Sequence, residues 1–315
     1  MSSDDARSSA RGAVAVEIAA QAKLNLRLHI LAKETTGFHQ LETLFLRIDL
    51  ADTLRIRRTP DARSLDVVGR VDAALIGPVE KNLAWRAAEL YFAASGMRGG
   101  FAMELEKRIP IGGGLGGGSA DAGAVLRALS AMDDEPMPRE LFLSLAEQLG
   151  ADVPFLATEH AYALAWGRGE RMLALTPPPA SDVMLLVPSF SVNTAEAFGW
   201  LGHLAPASPS RRRTESVAFD AAQLGDWDAL RTLARNDFEW AVERHHPELR
   251  ALHDYLGSLG RPIVGMSGSG STLFAIWTSD SPRTPAAGLA LEVPSGVQFV
   301  DTRTATRVEQ VSVIE

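Results

Sequence analysis

The stretch richest in potential chemistry is Pro110-Ile111-Gly112-Gly113-Gly114-Leu115-Gly116-Gly117-Gly118-Ser119-Ala120. Six glycines in seven residues leave almost no side chains, so the backbone can curl against a ligand and turn several N–H groups toward one anion. Phosphate is the anion such a cradle suits. A helix starting at Ala120, with Ser119 as its cap, would add a partial positive charge worth about 0.3 to 1 kcal/mol at an exposed site. A glycine tract can also be a flexible linker, but Ile111 and Leu115 punctuate this one and a helical pattern follows at once. A Walker A loop is excluded, because no Gly-Lys-Ser/Thr ending is present. Gly112, Gly114 and Gly117 also fit a dinucleotide fingerprint, with Asp133 and Asp134 about 20 residues on; there, however, the acid should end a second strand, whereas Asp133 directly follows a helix.

Two further segments carry a cation and an acid. In Ala22-Lys23-Leu24-Asn25-Leu26, Lys23 and Asn25 share a row with Arg27 and His29, alternating with Leu24, Leu26, Leu28 and Ile30. That is a strand with one apolar face and one polar face, the latter either a solvated edge or the lining of a cleft. In Gly150-Ala151-Asp152-Val153-Pro154 an acid stands among small and apolar residues, either as a turn or capping aspartate or as a base. Phosphoryl transfer to an alcohol needs a group to take the hydroxyl proton, and a carboxylate held near a lysine stays ionised for that task.

The elements that must position these segments follow from periodicity. Val14 to Ile18, Leu24 to Ile30, Leu41 to Leu50 and Thr53 to Arg58 read as strands of a β-rich opening. Asn82 starts a helix over Leu83 to Ser95 that Gly96 ends; Phe101 to Lys107 is a strand, and Ala120 to Met132 a helix. A helix from Arg139 to Leu149 stops at Gly150, a residue suited to the left-handed conformation past a helix end. Thr176-Pro177-Pro178-Pro179 reads as a linker, which predicts domains over 13–175 and 180–315 after a loose tail of Met1 to Gly12. Beyond it come a strand from Val183 to Val187, a short helix from Ala195, a polar loop holding Arg211, Arg212 and Arg213, and a long helical region from Asp226 to Leu259. Met266 to Ser271 reads as a tight glycine-rich bend before the strand Leu273 to Trp277.

Bulk composition narrows the class. With 315 residues, 46% hydrophobic and 22% charged, the chain has the makings of a two-domain globular enzyme. A net charge of −8 offers no general attraction to nucleic acid or anionic lipid, so anions must be held by local cations and amides. No cysteine is present, which excludes disulfides, zinc thiolates and cysteine nucleophiles and fits a cytoplasmic location. The first residues lack a signal peptide's apolar run, and no stretch is long and apolar enough to span a bilayer, so neither a membrane nor a nucleic-acid partner is expected.

Lys23 to Leu26, Pro110 to Ala120 and Ser267 to Gly270 occur in the order of the three motifs of the GHMP kinase superfamily, which the chain resembles over most of Val14 to Phe274. Ala22 to Leu26, Gly37-Phe38-His39, Gly112 to Ser119 and Leu149 to Pro154 are most similar to the branch that phosphorylates a cytidylyl sugar alcohol. The resemblance implies a two-domain α+β GHMP kinase fold, with an N-terminal domain like domain 2 of ribosomal protein S5, a ferredoxin-like C-terminal domain, and the reactants in the cleft between them. It implies ATP as donor, with Mg²⁺ arriving on it, and Lys23 and Asp152 as the catalytic pair. Asn82, Lys107 and Pro110 to Ala120 would hold ATP, with Ser119 near phosphate or metal. Asn25, Phe38, His39, Phe198, Ser267 and Gly268 would hold the acceptor; Phe38 and Phe198 would face a cytosine whose edge His39 reads. Phe38 stands where the family often has tyrosine, and Ala120 where many members have a second serine. The competing acceptors are other small alcohols such as homoserine or mevalonate; the competing classes are a ligand-binding regulator without turnover and a nicotinamide-dependent oxidoreductase.

Overall fold

The computed structural model describes residues 12–69, 77–203, 220–278 and 296–314. The expected tail, apart from Gly12, and the Arg211, Arg212 and Arg213 loop lie outside these residues. The opening strands are longer than their periodicity predicts. β1 (Ala15–Lys33) runs antiparallel to β2 (His39–Thr59), absorbing the irregular stretches as register shifts between Gln21 and Lys23, Asn25 and Arg27, and Ile30 and Ala32. Such bulges bend a strand and re-aim its side chains. Two of them bracket Lys23 to Asn25.

β3 (Arg63–Gly69) pairs in parallel with β4 (Gly100–Lys107), which lies on β2; the other half of β2 carries β5 (Tyr162–Gly167), itself paired with β6 (Arg171–Ala174). Two helices accompany this sheet. α1 (Leu83–Ser95) begins as its sequence predicts, with the Asn82 side chain accepting the Ala84 N–H at 2.9 Å, and ends at Gly96 in the left-handed region. α2 (Gly117–Met132) is buried on nearly every side, as expected of a helix rich in alanine and leucine all round. Ser119 is not its cap. The helix starts three residues earlier than expected, after Gly116 at φ 73°, because glycine there can enter the helix directly from the loop.

α3 (Arg139–Leu149) stops at Gly150, which adopts φ 154° and ψ 163° rather than the expected left-handed helical conformation. The chain must turn at once into α4 (Val153–Leu156), and the Val153 N–H reaches back to the Gly150 carbonyl at 3.2 Å.

The second sheet has the order β11-β7-β10-β9, formed by β7 (Asp182–Pro188), β9 (Ile263–Met266), β10 (Leu273–Trp277) and β11 (Val297–Arg303). After β7 comes α5 (Thr194–His203). The expected continuous helix from Asp226 to Leu259 is instead broken. Following α6 (Ala221–Leu224) and α7 (Trp227–Leu233), β8 (Arg235–Asn236) pairs in parallel with β1 before α8 (Glu239–His245) and α9 (Pro247–Ser258). Asn236 makes the break: its side chain accepts the Phe238 N–H and donates to the carbonyls of Met266 and Gly268, while Pro247 can only begin a helix.

β12 (Ser312–Val313) returns to pair with β1, so the end of the chain joins the first sheet after crossing the second. A core of Val16, Leu24, Leu46, Leu126 and Phe155 fills the first body and continues onto Leu185, Phe274 and Ile276 of the second sheet. A separate core of Met184, Phe238, Leu249 and Trp277 fills the second, and Leu28 of β1 belongs to it. One strand therefore serves both bodies. Among the described residues no helix is long and apolar enough to cross a membrane.

Candidate active site

A cleft of about 1190 Å³ lies along the glycine run and is lined by residues from both bodies, among them Lys23, Gly114, Asp152, Phe198 and Gly268. This exceeds the roughly 300 to 1,000 Å³ usual for one small ligand, which leaves room for two reactants. The polar row of β1 is buried here rather than solvated: Lys23 and Asn25 are each 2% exposed. Lys23 Nζ donates to Asn25 Oδ1 at 2.7 Å and to the Gly114 carbonyl at 2.9 Å, and stands 3.3 Å from Asp152 Oδ2. A lysine deprived of water needs such oxygens on every side.

The three motif segments meet at these atoms. Asn25 Oδ1 also accepts the Gly268 N–H at 2.9 Å, and its amide donates to Thr43 Oγ1 at 2.8 Å. Ser267 Oγ donates to the same Gly114 carbonyl at 2.9 Å, and the Lys23 N–H donates to the Leu115 carbonyl at 3.0 Å. Gly112, Gly114 and Gly116 all have positive φ, between 73° and 79°, which curls the run into a concave line of peptide groups. At its end α2 opens without a side-chain cap, so the first N–H groups of the helix have no side-chain acceptor.

Asn82, Lys107, Pro110 and Ile111 through Ser119 line the cleft, but Ala120 does not: it is the fourth helical residue and packs into the core. Ser267 is likewise buried beneath the loop, tying down Gly114 instead of facing the cleft, whereas Gly268 does line it. Asn25 lines the cleft with its carbonyl oxygen already shared by Lys23 and Gly268.

Lys107 is held by two buried carboxylates, Asp52 and Asp121, the latter at 2.6 Å. Burial works against its charge, yet Asp121 and Asp52 outweigh burial and raise its pKa. Burial raises that of Asp121, which the charge of Asp52 reinforces against the opposing effect of Lys107. Asp52 does more: its Oδ1 accepts the N–H groups of Arg108 and Ile109 at 2.5 and 2.8 Å, fixing the entry to the glycine run.

Phe38, His39 and Phe198, expected to frame a base, also line the cleft. His39 lies flat on Phe198, centroids 4.2 Å apart and planes at 11°, and Phe238 meets Phe198 edge-on. Burial, then Lys33, lowers the His39 pKa, so a neutral ring stacks there. Phe38 remains 56% exposed beneath the Arg168 guanidinium, 4.1 Å from its centroid, and Arg168 is paired with Glu34 at 2.5 Å. Sequence reasoning missed Asp52, Asp121, Arg168 and Asn236. Asp121 alone had a signal, its place one turn into the helix after the glycine run; the others reach the site only through tertiary contacts.

The family model "GHMP kinases N terminal domain" matches residues 82–160, and "GHMP kinases C terminal" matches 218–287. A protein of Solibacter usitatus named 4-diphosphocytidyl-2-C-methyl-D-erythritol kinase is 39% identical over 82% of this chain and 80% of its own length. A crystal structure of 4-(cytidine 5'-diphospho)-2C-methyl-D-erythritol kinase superposes with a TM-score of 0.69 at 33% identity, covering 92% of this chain and 99% of that one. A homoserine kinase from Cytophaga hutchinsonii superposes at 0.66 with 16% identity, over 96% of this chain and 98% of its own, a likeness of fold alone.

Proposed function

This chain belongs to the GHMP kinases, with their mixed α+β two-domain fold, and we infer that it is the member that uses ATP to phosphorylate the 2-hydroxyl of 4-diphosphocytidyl-2-C-methyl-D-erythritol in the non-mevalonate route to isoprenoids. The observation that carries the chemistry is the Lys23–Asp152 pair, 3.3 Å apart inside the cleft and braced against Gly114 of the glycine run. In our reading Asp152 accepts the proton of the acceptor hydroxyl as its oxygen bonds to the γ-phosphorus. The bond from that phosphorus to the β-phosphate bridging oxygen breaks, and ADP leaves. Lys23 orients the hydroxyl and offsets the charge that develops on it. Positioning and electrostatics supply most of the acceleration in such transfers.

The glycine run and the start of α2 hold the triphosphate through peptide N–H groups, with Asn82 and Lys107 toward the nucleoside. Mg²⁺ fits beside them. Asp121 Oδ1 is buried without a hydrogen-bond partner, and Ser119 contributes a hydroxyl, both hard oxygen donors of the kind that complete a shell begun by phosphates. When bound, the ion neutralises phosphate charge. A cytosine competes for the ring faces of Phe38 and Phe198 that Arg168 and His39 cover, and stacking there is worth about 1 to 3 kcal/mol. In this division the part within 13–175 grips ATP and the part from 180 onward closes on the acceptor, with Gly268 next to Asn25. The reaction is read as cytoplasmic, where ATP is at hand.

The test is ADP release with the cytidylyl sugar alcohol, homoserine and mevalonate side by side. Turnover with the first at least about 10²-fold above the others, in kcat/KM, is expected, because a site built for a polar edge rejects acceptors lacking it. Equal or greater turnover with either of the others overturns the acceptor assignment.

A further inference from the structure

We propose that Arg47, which lies outside the cleft, is the positioning residue for Asp152, an inference that rests on reading Asp152 as the proton acceptor. Arg47 stands on β2 opposite Lys23 in the strand register and is 1% exposed. Its guanidinium makes no carboxylate pair among the described residues. Nη2 donates to the carbonyls of Phe155, Leu156 and Thr158 at 3.2, 2.9 and 3.0 Å, and Nε donates to that of His160 at 3.1 Å. Burial, then Arg127, disfavours its charge, and these four carbonyl dipoles offset that cost.

Those carbonyls belong to α4 and the residues just after it. A helix leaves its last carbonyls without internal partners, and in a helix of one turn that is nearly all of them. Arg47 gathers them. The same turn begins on Asp152, whose carbonyl accepts the Leu156 N–H at 3.1 Å, while the Val153 carbonyl accepts the Ala157 N–H at 2.8 Å. A single hydrogen-bonded turn therefore connects the guanidinium to the Asp152 backbone. α2 presses on it too: a Cβ on Gly123 would lie 2.5 Å from the Leu156 carbonyl and 2.9 Å from the Ala157 nitrogen, so only glycine lets the turn sit where it does.

The support reaches Lys23 as well. Arg47 covers the Phe155 ring at 5.2 Å, Phe155 stacks on Phe45 with centroids 4.9 Å apart, and Lys23 Nζ lies 5.8 Å from the Phe45 ring. Lys23 thus rests on the same buried stack that Arg47 covers. Only a planar fork of several donors can serve four carbonyls at once; lysine offers a single point of charge.

The experiment is a double-mutant cycle on the full chain, with Arg47→Lys and Asp152→Asn read out as kcat, KM for ATP and thermal midpoint. Asp152→Asn alone should lower turnover by about 10² or more, the scale of general-base loss. Arg47→Lys alone should lower kcat about 10-fold or more with KM for ATP within about twofold, and should change the residual turnover of Asp152→Asn by less than about twofold, since residues acting as a unit are not additive. Gly123→Ala, acting on the same turn from α2, should repeat this pattern and carries the test should Arg47→Lys not fold. Equal fold-losses in both backgrounds, or a lowered midpoint with kcat unchanged, overturns the role of Arg47 while leaving that of Asp152 standing. Wild-type turnover in Asp152→Asn removes the reading itself and the inference with it.

Discussion

Lys23 and His39 show how a residue's surroundings decide what its type can do. Lys23 is an ordinary lysine in sequence; burial beside Asp152, Asn25 and Gly114 turns it into a fixed charge at one point in the cleft. His39, whose charged form burial disfavours, lies flat on Phe198 in the same cleft as the glycine run. Losing that ring should weaken the acceptor selectively. His39→Ala is expected to raise KM for the cytidylyl acceptor about 10-fold, the cost of about one hydrogen bond to the cytosine edge, with KM for ATP unchanged. Steady-state kinetics varying each substrate in turn checks this, and equal losses for both substrates would contradict it.

At the scale of elements, the glycine run is shaped by what it packs against as much as by its own freedom. Gly114 sits at φ +79°, and a Cβ there would fall 2.1 Å from the Ser267 carbonyl. Gly114→Ala cannot keep this backbone, and its carbonyl is the one that Lys23 and Ser267 both use. The expected result is a folded protein by circular dichroism whose KM for ATP rises and whose kcat falls, each about 10-fold or more, because phosphate grip and lysine placement share one peptide. A change in only one of the two would separate functions that the geometry joins. β1 carries the complementary device. Its register shifts fall on either side of Lys23 to Asn25, and within that stretch the alternation holds, so both polar side chains line the cleft.

For the whole molecule, β1 and the end of the chain hold the bodies in register. Beyond the second sheet, the Ala305 N–H donates to the Arg47 carbonyl, Arg127 donates to the Glu309 carbonyl at 2.7 Å, the Glu309 N–H donates to Gln21, and β12 pairs with β1. Deleting residues 305–315 should lower the calorimetric midpoint by on the order of 10 °C, since several hydrogen bonds at about 1 kcal/mol each are lost and a kilocalorie moves a protein of this size by a few degrees. An unchanged midpoint would make the returning strand incidental. Much of this protein was legible without coordinates: the tight glycine turn in Gly112 to Gly118, the ends of α1 in Asn82 and Gly96, and the polar row that holds Lys23 and Asn25. These features are written in local composition and period. Tertiary structure alone decided that Ser267 supports Gly114 rather than facing substrate, that Asn236 interrupts a helical pattern to hold Gly268, and that Arg47 and Asp52 brace the two sides of the site. Each of those acts through contacts between residues remote in the chain, and a contact of that kind depends on burial and direction, which leave no period in the sequence.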